Sequence, residues 1–380
     1  MAWLLPLAAF AGVDTAGSGL ASGTRMACTG GTVWLEDGHD ASSGRSGDRD
    51  NDRSRAAGIA GVLVSDGRRI VRTDASGRYP ALAPLDGHVF IVKPAGYTAL
   101  RRDDGLPDTW RRVDPAAQGE GAPTCGDFAL RRVPMQSAPG TLGSRASPRA
   151  DDPLRLLVFS DPQAGTQREV DYYLHDIVRP ASEQPGISLG LTLGDVGNDA
   201  PDLYPALNAA TTSIGVPWLH VAGNHDMDVD ARSDGSALSS FKAVYGPDTY
   251  AWEETQASFV VLDNVIAQPG QRPAYVGGLR EDQFDFLAAY LAQARRDRLL
   301  VIAVHIPWFD TATGGAAETV RARDRERLFA LLQPFPHVLL LSGHRHTQQH
   351  VRHDAASGWH GAQPLHEYNV GAAWAALSAW

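Results

Sequence analysis

The sequence predicts an α/β domain over residues 154–380, preceded by a small all-β sandwich over residues 28–133. Two observations carry this. After Pro153, short apolar runs alternate with stretches of helical spacing, which is the pattern of strands alternating with helices. Before it, short runs rich in β-branched and aromatic residues are separated by Gly, Asp and Pro turns. That spacing fits a sandwich of Ig-like or prealbumin-like type. A chain of 380 residues with 43% hydrophobic and 21% charged residues can bury full cores in two or three domains. Its net charge of −10 argues against general nucleic-acid binding. No apolar run reaches the roughly 18 residues that a membrane span requires.

In chain order, "MAWLLPLAAFAG" reads as the apolar part of a secretory signal, although the first basic residue is Arg25. Residues 1–27 are therefore expected to be a leader and the protein to be exported, periplasmic or secreted; a mis-assigned start or an apolar tail is the alternative. Cys28 and Cys125 are the two cysteines. Either export lets them join across a long loop, or they are two unrelated thiols. Two cysteines so far apart argue against a Cys-only zinc site. "GTVWLED", "AGVLVSDG", "RRIVRTD", "GRYPAL" and "HVFIVKP" supply the predicted strands, with "SDGRR" and "TDASGRY" as turns. A charged loop interrupts them. Its Asp48, Asp50 and Asp52 alternate as calcium ligands can, but an EF-hand's glycine and closing glutamate are missing. Residues 134–153 have linker composition.

In the second domain, "LRLLVFS", "SLGLTLG", "PWLHVAG", "SFVVLD", "LLVIAVH" and "HVLLLSG" read as strands buried on both faces. "QREVDYYLHDIV", "APDLYPALNAATTSI", "REDQFDFLAAYLAQARR" and "ARDRERLFALLQ" read as helices. Ligands of such sheets bind beyond the carboxyl ends of strands. There the chain places Asp161 and Gln163, then Asp195, then Asn224, His225 and Asp226, then His305, then His344 and His346. Carboxylate and neutral imidazole suit Zn, Fe or Mn, and Asp195 is the natural bridge between two ions. His225 can give a proton to a leaving oxygen, with Asp226 expected to orient its ring.

The motifs "SDPQ", "LGDVGND", "AGNHD", "AVHIPWF" and "SGHRH", in that order, make residues 154 to about 370 resemble the calcineurin-like metallophosphoesterases. The resemblance implies a metallophosphoesterase-type β-sandwich flanked by helices and two divalent or trivalent metal ions. One ion would take Asp161, Gln163, Asp195 and His346. The other would take Asp195, Asn224, His305 and His344. It further implies hydrolysis of a phosphate mono- or diester by a hydroxide bridging the metals, with His225 catalytic. Gln163 departs from the usual histidine. The sandwich resembles the N-terminal domain of an exported branch that carries Asp-Pro-Gln. Members of that branch continue into a third domain, so the end at "EYNVGAAWAALSAW" is expected to be a truncated tail.

The expected partner is a phosphoester substrate, with no specific nucleic acid and no transmembrane segment. The rival reading is a catalytically inert member of the fold that binds through its sandwich. P-loop, Rossmann and serine-hydrolase readings fail for lack of their motifs. His175 and His220 read as structural. His350, His353 and His360 read as solvent groups in a loop-like tail, and His366 as a weaker cleft candidate. Asp199 reads as the cap of a helix beginning near Pro201. Of Trp308, Phe309, Trp374 and Trp380, Trp308 is the best candidate to shape a pocket.

Overall fold

The computed structural model describes residues 27–36, 57–113, 123–133, 153–309 and 320–373. The expected leader up to residue 26, the Asp48, Asp50 and Asp52 loop, residues 134–152 of the expected linker, and Trp374 and Trp380 lie outside them.

The first unit holds two four-stranded sheets. One is ordered Arg78–Tyr79, Gly31–Leu35, Phe128–Arg132, Tyr97–Ala99. The other is ordered Ile70–Arg72, Leu63–Ser65, His88–Val92, Trp110–Arg112. The turn in "TDASGRY" is closed by Asp74, whose Oδ1 accepts from the backbone of Ser76 and Arg78, as short acidic side chains do in turns. Val33, Val64, Val89, Ile91, Phe128 and Leu130 fill the space between the sheets. Cys28 and Cys125 are joined there as a buried disulfide, with Cα atoms 4.9 Å apart.

His88–Val92 is buried at every position. The reason lies on its two faces. Val89 and Ile91 face the sandwich core, while Phe90 and Val92 belong to the core of the second unit. Phe90 packs on Phe286 with ring centroids 5.8 Å apart. Arg68 pairs with Asp285 at 2.7 Å, and buried Lys93 with Glu254 at 2.7 Å. The sandwich therefore shares a core with the domain that follows.

That domain is two sheets packed face to face. A parallel sheet is ordered Trp218–Val221, Leu189–Leu193, Leu156–Phe159. A mixed sheet is ordered Tyr250–Glu253, Ala257–Val261, Leu299–Ala303, Val338–Ser342, Leu365–Asn369, Gln349–His353. Leu189, Leu191, Leu193, Val221, Phe259, Val301, Ala303 and Leu341 fill the layer between them. Helices Gln167–Tyr172, Tyr204–Thr212 and Ser239–Tyr245 carry residues of the cluster around Phe159 and Trp218 on the outer face of the parallel sheet. Glu281–Leu291 and Ala322–Leu332 cover the mixed sheet. The neighbouring strands Ala257–Val261, Leu299–Ala303 and Val338–Ser342 run parallel, so their carboxyl ends open on one side. No helix among the described residues is long and apolar enough to cross a membrane.

The tail departs from expectation. Gln349–His353 is an edge strand, paired antiparallel with Leu365–Asn369. His353 is fully buried, with Nε2 2.7 Å from Glu367. Its period was obscured by polar residues facing solvent on an edge strand. His366 pairs opposite Leu339, at the start of its neighbour and away from the ligand end, and contacts His350 at 2.8 Å. Trp308 is fully buried in the core.

Candidate metal centre

Each strand end changes from sheet pairing to side-chain pairing within two or three residues. Beyond Phe159, Asp161 N–H donates to Gly194 O at 3.2 Å, and Gln163 N–H to Asp195 O at 3.0 Å. Beyond Val221, His225 N–H donates to Asp195 Oδ1 at 2.8 Å. Beyond Ser342, His344 N–H reaches both Asp161 carboxylate oxygens at 3.1 and 3.2 Å. The backbones of these loops thus fix one another's carboxylates. Two glycines make the approach possible. A Cβ on Gly223 would stand 2.2 Å from Asp195 Oδ1, and one on Gly343 2.0 Å from Ser160 Oγ.

Asp161, Gln163, Asp195, Asp199, His344 and His346 have left-handed φ values between 43° and 69°. They are the non-glycine residues with positive φ among the described residues. Such a conformation costs an L-residue about 1–2 kcal/mol. Its concentration in one place marks a site held by its surroundings.

The donor atoms converge. One ligand atom each from Asp195, His305 and His344 lie within 4.8 Å of one another. His305 Nε2 is 3.3 Å from Asp195 Oδ2, 3.1 Å from Asn224 Oδ1 and 3.2 Å from His344 Nδ1. His305 Nδ1 lies 2.8 Å from Leu193 O, which keeps Nε2 for the centre. On the other side, His346 Nε2 is 3.4 Å from Asp161 Oδ1. Gln163 Nε2 donates to Asp195 Oδ2 at 2.9 Å, so its amide must turn to present oxygen to a cation. All seven expected ligands lie in this one network. Carboxylates, imidazoles and amides crowded beyond parallel strands fit metal ions.

The electrostatics agree with the donor set. Burial pulls the pKa of His305 down, but Asp195 outweighs it and carries the ring up to about 9. Burial pushes Asp195 up, yet His305 holds it down at about 2. His344 is drawn down to about 4, first by burial and then by His305. A cation would replace the proton that His305 holds beside Asp195.

Two expectations change. Asp226 does not orient His225. Its buried carboxylate accepts from Gly223 N at 2.9 Å, from Val196 N and Gly197 N at 3.1 Å, and from Tyr204 Oη at 3.1 Å. Those donors draw it behind the Asp195 loop, where burial and the nearby Asp195 push its pKa up to about 7. Asp199 stands at the ring instead, with Oδ1 3.2 Å from His225 Nδ1. It is not a helix cap, because Ala200 occupies that position without a side-chain bond.

Two further residues escaped the sequence reading. Asn264 Oδ1 accepts from His305 N at 3.2 Å and Ile306 N at 2.9 Å, and its amide donates to Ile306 O at 2.6 Å. Glu367 accepts from Trp308 N at 3.0 Å and Ser342 Oγ at 2.8 Å, tying together the two histidine-bearing segments. Asn264 was readable, since "SFVVLD" runs straight into it.

Comparison with known proteins gives a consistent result. The family described as N terminal of Calcineurin-like phosphoesterase matches residues 48–133. The family described as Calcineurin-like phosphoesterase matches residues 154–348, just over half the chain. The chain is 32% identical over 182 residues to 3′,5′-cyclic adenosine monophosphate phosphodiesterase CpdA of Pseudomonas aeruginosa. That alignment covers 45% of this chain and 59% of the relative's length. Among solved structures, a dimetal phosphatase from Danio rerio aligns at 18% identity and a TM-score of 0.43, covering 58% of this chain and 88% of that one. Purple acid phosphatase PPD1 from yellow lupin aligns at 13% and 0.46, covering 83% and 60%. From its ordered motifs and the extent of that family match, the chain belongs to the calcineurin-like phosphoesterases.

Proposed function

We propose that this protein is a dinuclear metal-dependent hydrolase of phosphate mono- or diesters. The observation that carries the reading is the convergence of Asp195, His305 and His344 within 4.8 Å, beside left-handed Asp161, Gln163 and His346. Asp161, Gln163, Asp195 and His346 would hold one ion, and Asp195, Asn224, His305 and His344 the other. Mn, Fe or Zn suits this mixed set. Two such ions supply an activated water and positive charge opposite the phosphoryl oxygens.

The protein's own residues do the rest. Asp199 engages His225 Nδ1, and Nε2 has no hydrogen-bond partner among the described residues. In its doubly protonated form, the ring can give Nε2–H to the leaving oxygen as the P–O ester bond breaks. Asp195 Oδ1 fixes the His225 backbone, so one carboxylate sets both the ions and the proton donor. The apolar first residues and the Cys28–Cys125 disulfide support an exported protein.

The test is elemental analysis of the purified chain, with hydrolysis of a chromogenic phosphomonoester, a chromogenic phosphodiester and 3′,5′-cyclic AMP in added Mn. The cyclic nucleotide is included because the relative's name gives that activity. We expect about two ions per chain. Asp195→Ala should remove several kcal/mol of charge stabilisation, about a thousandfold in turnover. A folded chain without metal or turnover in any assay would favour the inert binding reading.

A further inference from the structure

The hairpin Val265–Ala267 and Tyr275–Gly277 stands next to the centre. It is rooted in the site, because Gly278 N–H donates to the carbonyl of Asn264 at 3.0 Å, while the Asn264 side chain holds the His305 backbone. Asp234 Oδ1 accepts from Ala267 N at 2.7 Å, and Gln268 N–H donates to Ala274 O at 2.7 Å, fixing the far end. Tyr275 lies directly opposite Ala267 in this ladder.

The ring of Tyr275 meets that of His344 edge to face, with centroids 6.2 Å apart and planes at 83°. Tyr275 is only partly buried, and its hydroxyl makes no hydrogen bond among the described residues. Its Oη–H is a donor without an acceptor among the described residues. Negatively charged phosphoryl oxygens entering between the ligands would be that acceptor. Charge-assisted hydrogen bonds of this kind are among the stronger ones.

We propose that Tyr275 is a substrate-binding residue whose Oη–H donates to a non-bridging phosphoryl oxygen. This rests on the phosphoesterase reading, so the test separates the two. Calorimetry with inorganic phosphate on the metal-loaded chain reads oxyanion binding without needing turnover. Tyr275→Phe keeps the ring against His344 and removes the donor. We expect phosphate affinity to fall on the order of tenfold or more, with metal content and melting temperature unchanged. Where the wild type hydrolyses an ester, kcat/KM should fall by a similar factor. Unchanged phosphate affinity would overturn the proposal, because the ring would then serve only to pack His344. Loss of metal in Tyr275→Phe would also overturn it, in favour of a role in holding His344. A metal-loaded wild type that binds no phosphate would overturn it as well. A wild type that binds phosphate through Tyr275 but never turns over would uphold the site and sink the hydrolase reading alone.

Discussion

The two halves of the proposed metal centre are built differently. His305 is fully buried and Asn224 and Asp195 crowd its Nε2, while Leu193 O fixes its Nδ1 and Asn264 its backbone. Across the shared Asp195, His346 has a side chain 46% exposed, and Gln163 stands in place of an imidazole. The first half is set by the sheets behind it, and the second by loops and by whatever binds it. Preorganised ligands lose less freedom on binding, so the His305 half should be the tighter site.

The largest effects should be on turnover, and they separate the proton donor from a ligand. His225→Ala should lower turnover by about 10²–10⁴-fold with both ions kept, whereas His344→Ala should lose turnover together with one ion. Metal analysis of the two variants distinguishes them, and a His225→Ala chain that lost its metals would refute the division of roles. Next, Asn264→Ala should weaken binding in the His305 half by about 10–100-fold, the usual cost of removing a group that orients ligands. Calorimetric titration should then show two steps closer together. Smaller still, Gln163→Ala should weaken the open half by roughly tenfold and leave the first step in place. If instead the His305 step moved, Gln163 would be acting mainly through Asp195.

A separate effect, on stability, is a pH dependence away from the centre. His220 is buried against Tyr245, with ring centroids 4.2 Å apart and neither ring nitrogen hydrogen-bonded among the described residues. Burial holds its pKa down at about 3, against an ordinary 6.5. Between those values the unfolded chain takes a proton that the folded chain refuses. Stability therefore falls as pH drops below 6.5, by up to ~1.4 kcal/mol per unit. His220→Phe should flatten this part of a melting-temperature profile measured without metal. An unaltered slope would assign the acid sensitivity to other groups.

The convergence of the candidate ligands was legible because each follows an apolar strand whose length and neighbours fix where it emerges. The same reasoning found the helices Glu281–Leu291 and Ala322–Leu332. What escaped depends on partners distant in sequence. Asp226 and Asp199 are both close in sequence to site residues, and only the folded loops decide which of them faces His225. Glu367 and His353 find each other across an antiparallel pair whose outward residues are polar. Tyr275 reaches His344 from a three-residue strand too short to show a period.

The left-handed backbone at Asp161, Gln163, Asp195, Asp199, His344 and His346 has a consequence for engineering. At each position glycine would adopt the same conformation without the steric cost. At Asp199 and His346, whose side chains hold no backbone donor, selection for heat resistance alone would therefore tend to replace the residue, and each gain in melting temperature would take a polar side chain from the centre. Here the trade-off between stability and activity has an address. A directed-evolution campaign on this protein should hold both codons fixed.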